Sequence, residues 1–199
     1  MTDRIRAQFA FLTEIDKMKS VLRRNILIDC TRQEDDAGHS WHMAVCAMLL
    51  SEYAAETVDM ARVIRMALVH DLVEIYAGDT FCYDVQGNLD KAARERAAAD
   101  RLYAILPTDQ GPELRALWEE FDRMDTPDAR FAAALDRLQP FLLNYQTGGH
   151  TWQLGHVTRA QILARLDPIR IATPALWDVV LAMLDECGQK GWILPDNAE

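Results

Sequence analysis

The sequence predicts an all-α fold, a compact bundle of about eight helices in a single domain over 1–199. Three observations lead there. Prolines and capping residues cut the chain into helix-length segments, and no run of period-two alternation lies between hairpin turns. The 199 residues, 50% hydrophobic, suffice for one core and fit one domain better than two. The first helix is expected over 4–24. A second carries His39, Met43, Cys46 and Leu50 at helical spacing. Asp59 caps a third over 60–77, Thr126-Pro127 and Thr173-Pro174 each read as an N-cap followed by proline, and Thr158 with Gln161 reads as a capping box. The segment 78–89, GDTFCYDVQGNL, mixes two glycines with aromatic residues and reads as a loop over something rather than a linker. Further breaks are expected at 107–112 and 147–156.

Charge narrows the partners. Twenty-one basic residues against 31 acidic ones give a net charge of −10, which opposes binding to nucleic acid or an anionic membrane but allows a small anion held by locally focused basic residues. The longest apolar run, 43–50, is far short of the ~20 residues of a membrane span. Cys30, Cys46, Cys82 and Cys187 form no CxxC pair and read as reduced thiols, so the expected location is the cytoplasm.

Ionisable residues stand on apolar stripes. Val63, Ala67, His70 and Glu74 follow spacings of four, three and four, which puts a histidine and a carboxylate on a core face, with Asp71 beside them. Burial without a partner costs several kcal/mol, so a metal ion or a hydrogen-bonded carboxylate must compensate. His39 heads the stripe of the second helix, and His42, one turn on, competes for its role. Farther along, Ala129, Ala132, Ala133 and Asp136 form a small-residue face opposite Phe131, Leu135, Leu138 and Leu142. Pro140 cannot donate to the Asp136 carbonyl, so a bend is expected near that carboxylate. A solvated surface position is the alternative for Asp136. Together His39, His70, Asp71 and Asp136 offer two imidazoles and two carboxylates, a set suited to one divalent ion: Mn, Fe, Co, Ni, Zn or Mg.

The order H…HD…D resembles the HD-domain superfamily of metal-dependent phosphohydrolases. HDLVEIYAGDT at 70–80 and ALDRLQPFLLNY at 134–145 resemble its small 5′-deoxynucleotidase branch, and the likeness runs over about 4–194. The resemblance implies a phosphomonoesterase that releases nucleoside and inorganic phosphate from nucleoside 5′-monophosphates, with His39, His70, Asp71 and Asp136 on the metal. It implies that Glu74 and Asp79 act near the reacting centre. Glu74, on the stripe of His70, is the more intimate of the two, and Asp79 is otherwise a turn residue.

Phosphate needs a cation besides the metal, and Lys19, Arg23 and Arg24 form a basic patch at the expected end of the first helix, where they would equally complement the helix dipole. Arg24 matches the branch's phosphate-contacting arginine. Asn25 stands where that branch has tryptophan, which implies a weaker preference for deoxyribose. Phe81 and Tyr83 are expected to cover the base without reading its edge. The superfamily's di-iron oxygenases carry further histidines between the doublet and the last aspartate, and none lies between Leu72 and Leu135 here, so the resemblance implies a mononuclear site; the GYP motif of its cyclic dinucleotide phosphodiesterases is absent as well. The resemblance, with Trp152, Trp177 and Trp192, suggests a homodimer. Two alternatives are a phosphohydrolase for another small phosphorylated metabolite and a non-catalytic helical module with a structural metal.

Overall fold

The computed structural model describes residues 2–196. Helix α1 (Asp3–Ile15) starts at Thr2, whose hydroxyl accepts from the Ile5 N–H, and it ends well before Arg24. A tight turn over Asp16–Ser20 follows, and the chain then runs extended as β1 (Leu22–Ile26), paired antiparallel with β2 (Gln33–Asp35). This small hairpin corrects both the helix expected over 4–24 and the expectation of no strand pair. LRRNI and QED show no alternation of apolar residues. Their buried positions are Asn25 and Glu34, both polar, so contacts beneath the hairpin fix it and not an apolar face.

Asp35 caps α2 (Asp36–Leu50) by accepting from the Gly38 N–H, and Asp59 caps α3 (Met60–Val69) by accepting from Ala61 and Arg62. The expected continuous helix over 60–77 breaks after Val69. Short bonds of the three-residue type, from Leu72 N–H to Val69 O and from Glu74 N–H to Asp71 O, tighten the chain over the HD doublet before α4 (Glu74–Ala77) begins. Gly78 ends α4 at φ 76°, a left-handed conformation that releases the chain toward Asp79.

Helix α5 (Lys91–Tyr103) leads to α6 (Gln110–Arg123), which starts inside the expected break at 107–112. The expected loop at 147–156 contains α8 (His150–Leu154), and with α4 this raises the count to ten α-helices among the described residues. Helix α7 (Pro127–Gln146), capped by Thr126, passes through Pro140 as one element. The capping box of Thr158 and Gln161 opens α9 (Arg159–Ala172), and α10 (Pro174–Gln189) closes the bundle.

Helix α7 is central, touching α2, α3, α6, α9 and β1. Its Ala129, Ala132 and Ala133 are fully enclosed, as is Leu135, and burial of one such leucine contributes about 1.5–3 kcal/mol. Trp152 is buried in this core, and Trp177 and Trp192 pack against it. No helix among the described residues is long and apolar enough to cross a membrane.

Candidate functional site

The two histidines are oriented by what holds their far nitrogens. His39, in the first turn of α2, has Nδ1 2.8 Å from Gln139 Oε1, and His70, at the end of α3, has Nδ1 2.9 Å from the Ala67 carbonyl. The Gln139 amide is itself fixed, because its nitrogen donates to Glu34 (2.6 Å) and to His42 Nδ1 (3.0 Å). Both Nδ1 atoms therefore donate, and both Nε2 atoms keep their lone pairs. Those lone pairs point at carboxylates: His39 Nε2 lies 3.0 Å from Asp136 Oδ1 and 3.8 Å from Asp71 Oδ2, and His70 Nε2 lies 3.0 Å from Asp71 Oδ2 and 3.6 Å from Asp136 Oδ1. His42 is turned away, toward Gln139.

Acceptors facing acceptors require a cation between them. His70 Nε2 is buried and has no protein donor against it, only carboxylate oxygens at 3.0 and 3.6 Å. The titration of His70 expresses the same demand for positive charge: burial opposes a proton there, but the Asp71 and Asp136 charges prevail and carry the imidazole up to about 10, so the place is filled by a proton or by a metal ion. The same contacts act on the acids. Burial would raise both, yet His70 holds Asp71 below the usual carboxylate range, and His39 and His70 hold Asp136 well below it. Donor separations of 3.0–3.8 Å suit atoms that share one ion at ~2.0–2.2 Å, so the residues fit a divalent metal.

A second acidic group adjoins the first. Asp36, Asp71 and Glu74 each offer an oxygen within 4.8 Å of the others'. Arg23 enters this group from β1: its Nη1 donates to Asp71 Oδ2 (2.8 Å) and Asp36 Oδ1 (3.2 Å), and its Nε lies 3.7 Å from Glu34. Burial and the Asp71 charge push Asp36 up to about 7, and burial beside Asp71 and Asp36 pushes Glu74 well above the usual range. Asp79, half-buried beyond Gly78, is also raised, chiefly by burial.

His70, Asp71, Glu74, Asp79 and Asp136 all border one cavity of about 390 Å³. Its lining also includes the aromatic side chains of Phe81, Tyr83, Phe141 and Trp152. Phe81 sits against Gly155, where a Cβ would approach its ring to 2.8 Å. The expected basic patch is divided. Arg23, Arg24 and Asn25 lie on β1 at the cavity, with Arg24 over the Phe81 ring at 4.8 Å and the Asn25 amide donating to the Pro140 carbonyl at 3.3 Å. Lys19 is exposed, pairs with Asp16 and lies outside that lining.

Arg137, Arg165 and Lys91 also reach the cavity, and Gln139 and Asp36 hold His39 and Arg23; sequence reasoning passed over all five. Gln139 had a signal, since it lies three residues after Asp136 on the same helical face. Arg165 had none, because α9 carries no motif.

The HD domain family matches residues 15–177. A solved structure described as a predicted metal-dependent phosphohydrolase, from Magnetospirillum magnetotacticum MS-1, superposes with a TM-score of 0.92 at 49% identity over 96% of each chain. A Pyrococcus furiosus protein shares the fold, with a TM-score of 0.60 at 19% identity over 91% of this chain and 99% of its own. Among curated relatives, the Homo sapiens 5'-deoxynucleotidase HDDC2 is 31% identical over 138 residues, 69% of this chain and 66% of that protein. The chain thus spans about two thirds of the length of the curated relatives it matches. The matched region contains His39, the doublet at His70-Asp71 and the aspartate of α7, and the chain belongs to the HD domain family.

Proposed function

We propose that this protein is a divalent-metal-dependent phosphomonoesterase that hydrolyses nucleoside 5′-monophosphates to nucleoside and inorganic phosphate. One observation carries the reading: the Nε2 atoms of His39 and His70 converge with the carboxylates of Asp71 and Asp136, and His70 and both carboxylates line, with Glu74 and Asp79, a cavity that aromatic side chains also line. The names of the curated relatives, 5'-deoxynucleotidases, support the substrate class.

His39, His70, Asp71 and Asp136 would hold the ion, which when bound lowers the pKa of water and offsets charge on phosphoryl oxygens. Glu74, buried next to Asp71, exchanges a proton with the attacking water or the departing ester oxygen. Asp79 orients the water from the other end of α4. The water oxygen bonds to phosphorus as the bond to the ester oxygen breaks, and that oxygen leaves with a proton. Phe81 and Tyr83, edge to face at 5.3 Å, offer the base an aromatic surface that tolerates purines and pyrimidines.

The reading extends to one domain over 1–199, supported by a core cluster that runs from Phe11 to Ile193. It also includes a homodimer in the cytoplasm. All four cysteines are unpaired, which suits a reducing compartment, and α2 exposes Trp41, Met48 and Leu49 as an apolar strip for a second copy. Light scattering tests this: a mass near the 22.6 kDa of one chain at micromolar concentration contradicts the dimer.

The experiment for the activity is a phosphate-release screen of nucleoside monophosphates, sugar phosphates and an aryl phosphate with several divalent metals. Metal-dependent release from nucleoside monophosphates above the other classes is expected. Release from sugar phosphates alone would move the assignment to another small phosphorylated metabolite.

A further inference from the structure

Positive charge is unevenly matched around the cavity. On the β1 side Arg23 faces three carboxylates, from Asp71, Asp36 and Glu34, while Arg24 lies over the Phe81 ring, away from the His39, His70, Asp71 and Asp136 ion pairs. On the α7 side the ratio is reversed. Asp136 Oδ2 accepts from Arg137 Nη1 at 3.1 Å and from Arg165 Nη2 at 3.4 Å, while its other oxygen is taken up by His39 and His70. Among the described residues, neither arginine has another carboxylate within 4.0 Å. The Arg137 side chain is 12% exposed, and its Nε is buried with no partner. Two guanidiniums from different helices thus share one carboxylate oxygen at the edge of a cavity that both line.

Guanidinium donors in this state recruit an anion. A tetrahedral oxyanion suits the place better than a planar carboxylate, because it offers oxygens in several directions at once. One can face Arg137, a second Arg165, and the rest the His39, His70, Asp71 and Asp136 group. We propose that Arg137 and Arg165 form the phosphate-binding subsite of this protein, with Arg165, the more exposed of the two, turning from Asp136 to the incoming phosphate. Arg23, already neutralised, does not supply this contact. The identification of the ligand as a substrate phosphate rests on the phosphomonoesterase reading; the anion site itself rests on the charge geometry.

Inorganic phosphate binding to the metal-loaded protein, measured by calorimetry, is the test, with metal content determined for each variant. Arg165→Gln is expected to weaken phosphate binding about tenfold or more with metal content unchanged, since a charge-assisted contact is lost. Arg137→Lys, which keeps a buried cation and removes the planar fork, is expected to weaken it in the same direction. Lys19→Gln is expected to bind as the unmodified protein does. Wild-type phosphate affinity in both Arg165→Gln and Arg137→Lys, or no phosphate binding by the unmodified protein, would overturn the proposal. Phosphate binding that depends on Arg165 in a protein inactive on every phosphate ester would keep this subsite and remove the proposed activity. Full turnover with phosphate affinity indifferent to both variants would do the reverse.

Discussion

Arg23 Nη1 donates to Asp71 Oδ2 across 2.8 Å, and the same nitrogen reaches the buried Asp36 at 3.2 Å. The strand residue therefore fixes the rotamer of the aspartate beside His70, and Asp36 fixes the arginine. Arg23→Met is expected to weaken divalent-metal affinity about 10–100-fold, the usual effect of losing a residue that orients a ligand. Calorimetric metal titration checks this. Unchanged metal affinity with a raised KM would make Arg23 a substrate contact instead.

Gln139 makes an equivalent arrangement for His39. Its amide is fully buried and serves His39, Glu34 and His42 together. Gln139→Leu takes one hydrogen bond from each of those groups, and each buried polar atom left unpaired costs about 1–3 kcal/mol. A fall of several degrees in Tm is expected by thermal unfolding, together with weaker metal binding. An unchanged Tm would mean that the three groups find other partners.

Glu74→Gln is expected to retain the metal and lose about 10²–10⁴-fold in kcat, since the amide matches the carboxyl in size but cannot exchange a proton. Elemental analysis and steady-state kinetics on the same sample separate the two effects. Wild-type kcat at full metal content would leave Glu74 a structural role.

Removal of the metal should both stop turnover and lower stability. A ligand present at 100 times its Kd stabilises the folded state by about 2.7 kcal/mol, so chelation should depress Tm and readdition restore it. The same Tm with and without metal would indicate that no ion is held tightly.

Sugar selection is expected to be weak. Asn25 is 8% exposed with its amide nitrogen on Pro140, so little of its side chain faces a sugar, and its effect on sugar selection is expected to stay within about tenfold in kcat/KM. AMP and dAMP should therefore differ by no more than that. Asn25→Trp would overpack the space between β1 and α7, so Asn25→Ala is the informative variant. A strong preference for dAMP in the unmodified protein would assign sugar selection to other residues.

The parts of this structure legible in the sequence are those encoded locally. Asp59, Thr126 and Thr158 cap the helices they announce, and the residues proposed to bind metal stand at helical positions within or beside recognisable motifs. The hairpin was hidden because Asn25 and Glu34, its buried residues, are polar and owe their burial to partners more than 100 positions away. The break at His70 was hidden for a related reason: the stripe of Val63, Ala67, His70 and Glu74 is equally apolar whether the backbone stays α-helical or tightens. Arg137 and Arg165 carry no local signal because only the folded bundle brings α7 and α9 to one carboxylate oxygen.

The central claim is that four side chains from three parts of the chain hold one ion. Anomalous diffraction from crystals grown with Mn²⁺ or Co²⁺, recorded at the absorption edge of the metal, tests it most directly. A single peak at ~2.0–2.3 Å from His39 Nε2, His70 Nε2 and the carboxylates of Asp71 and Asp136 is expected. A peak outside this group, or one coordinated by His42 with His39 turned away, would contradict it.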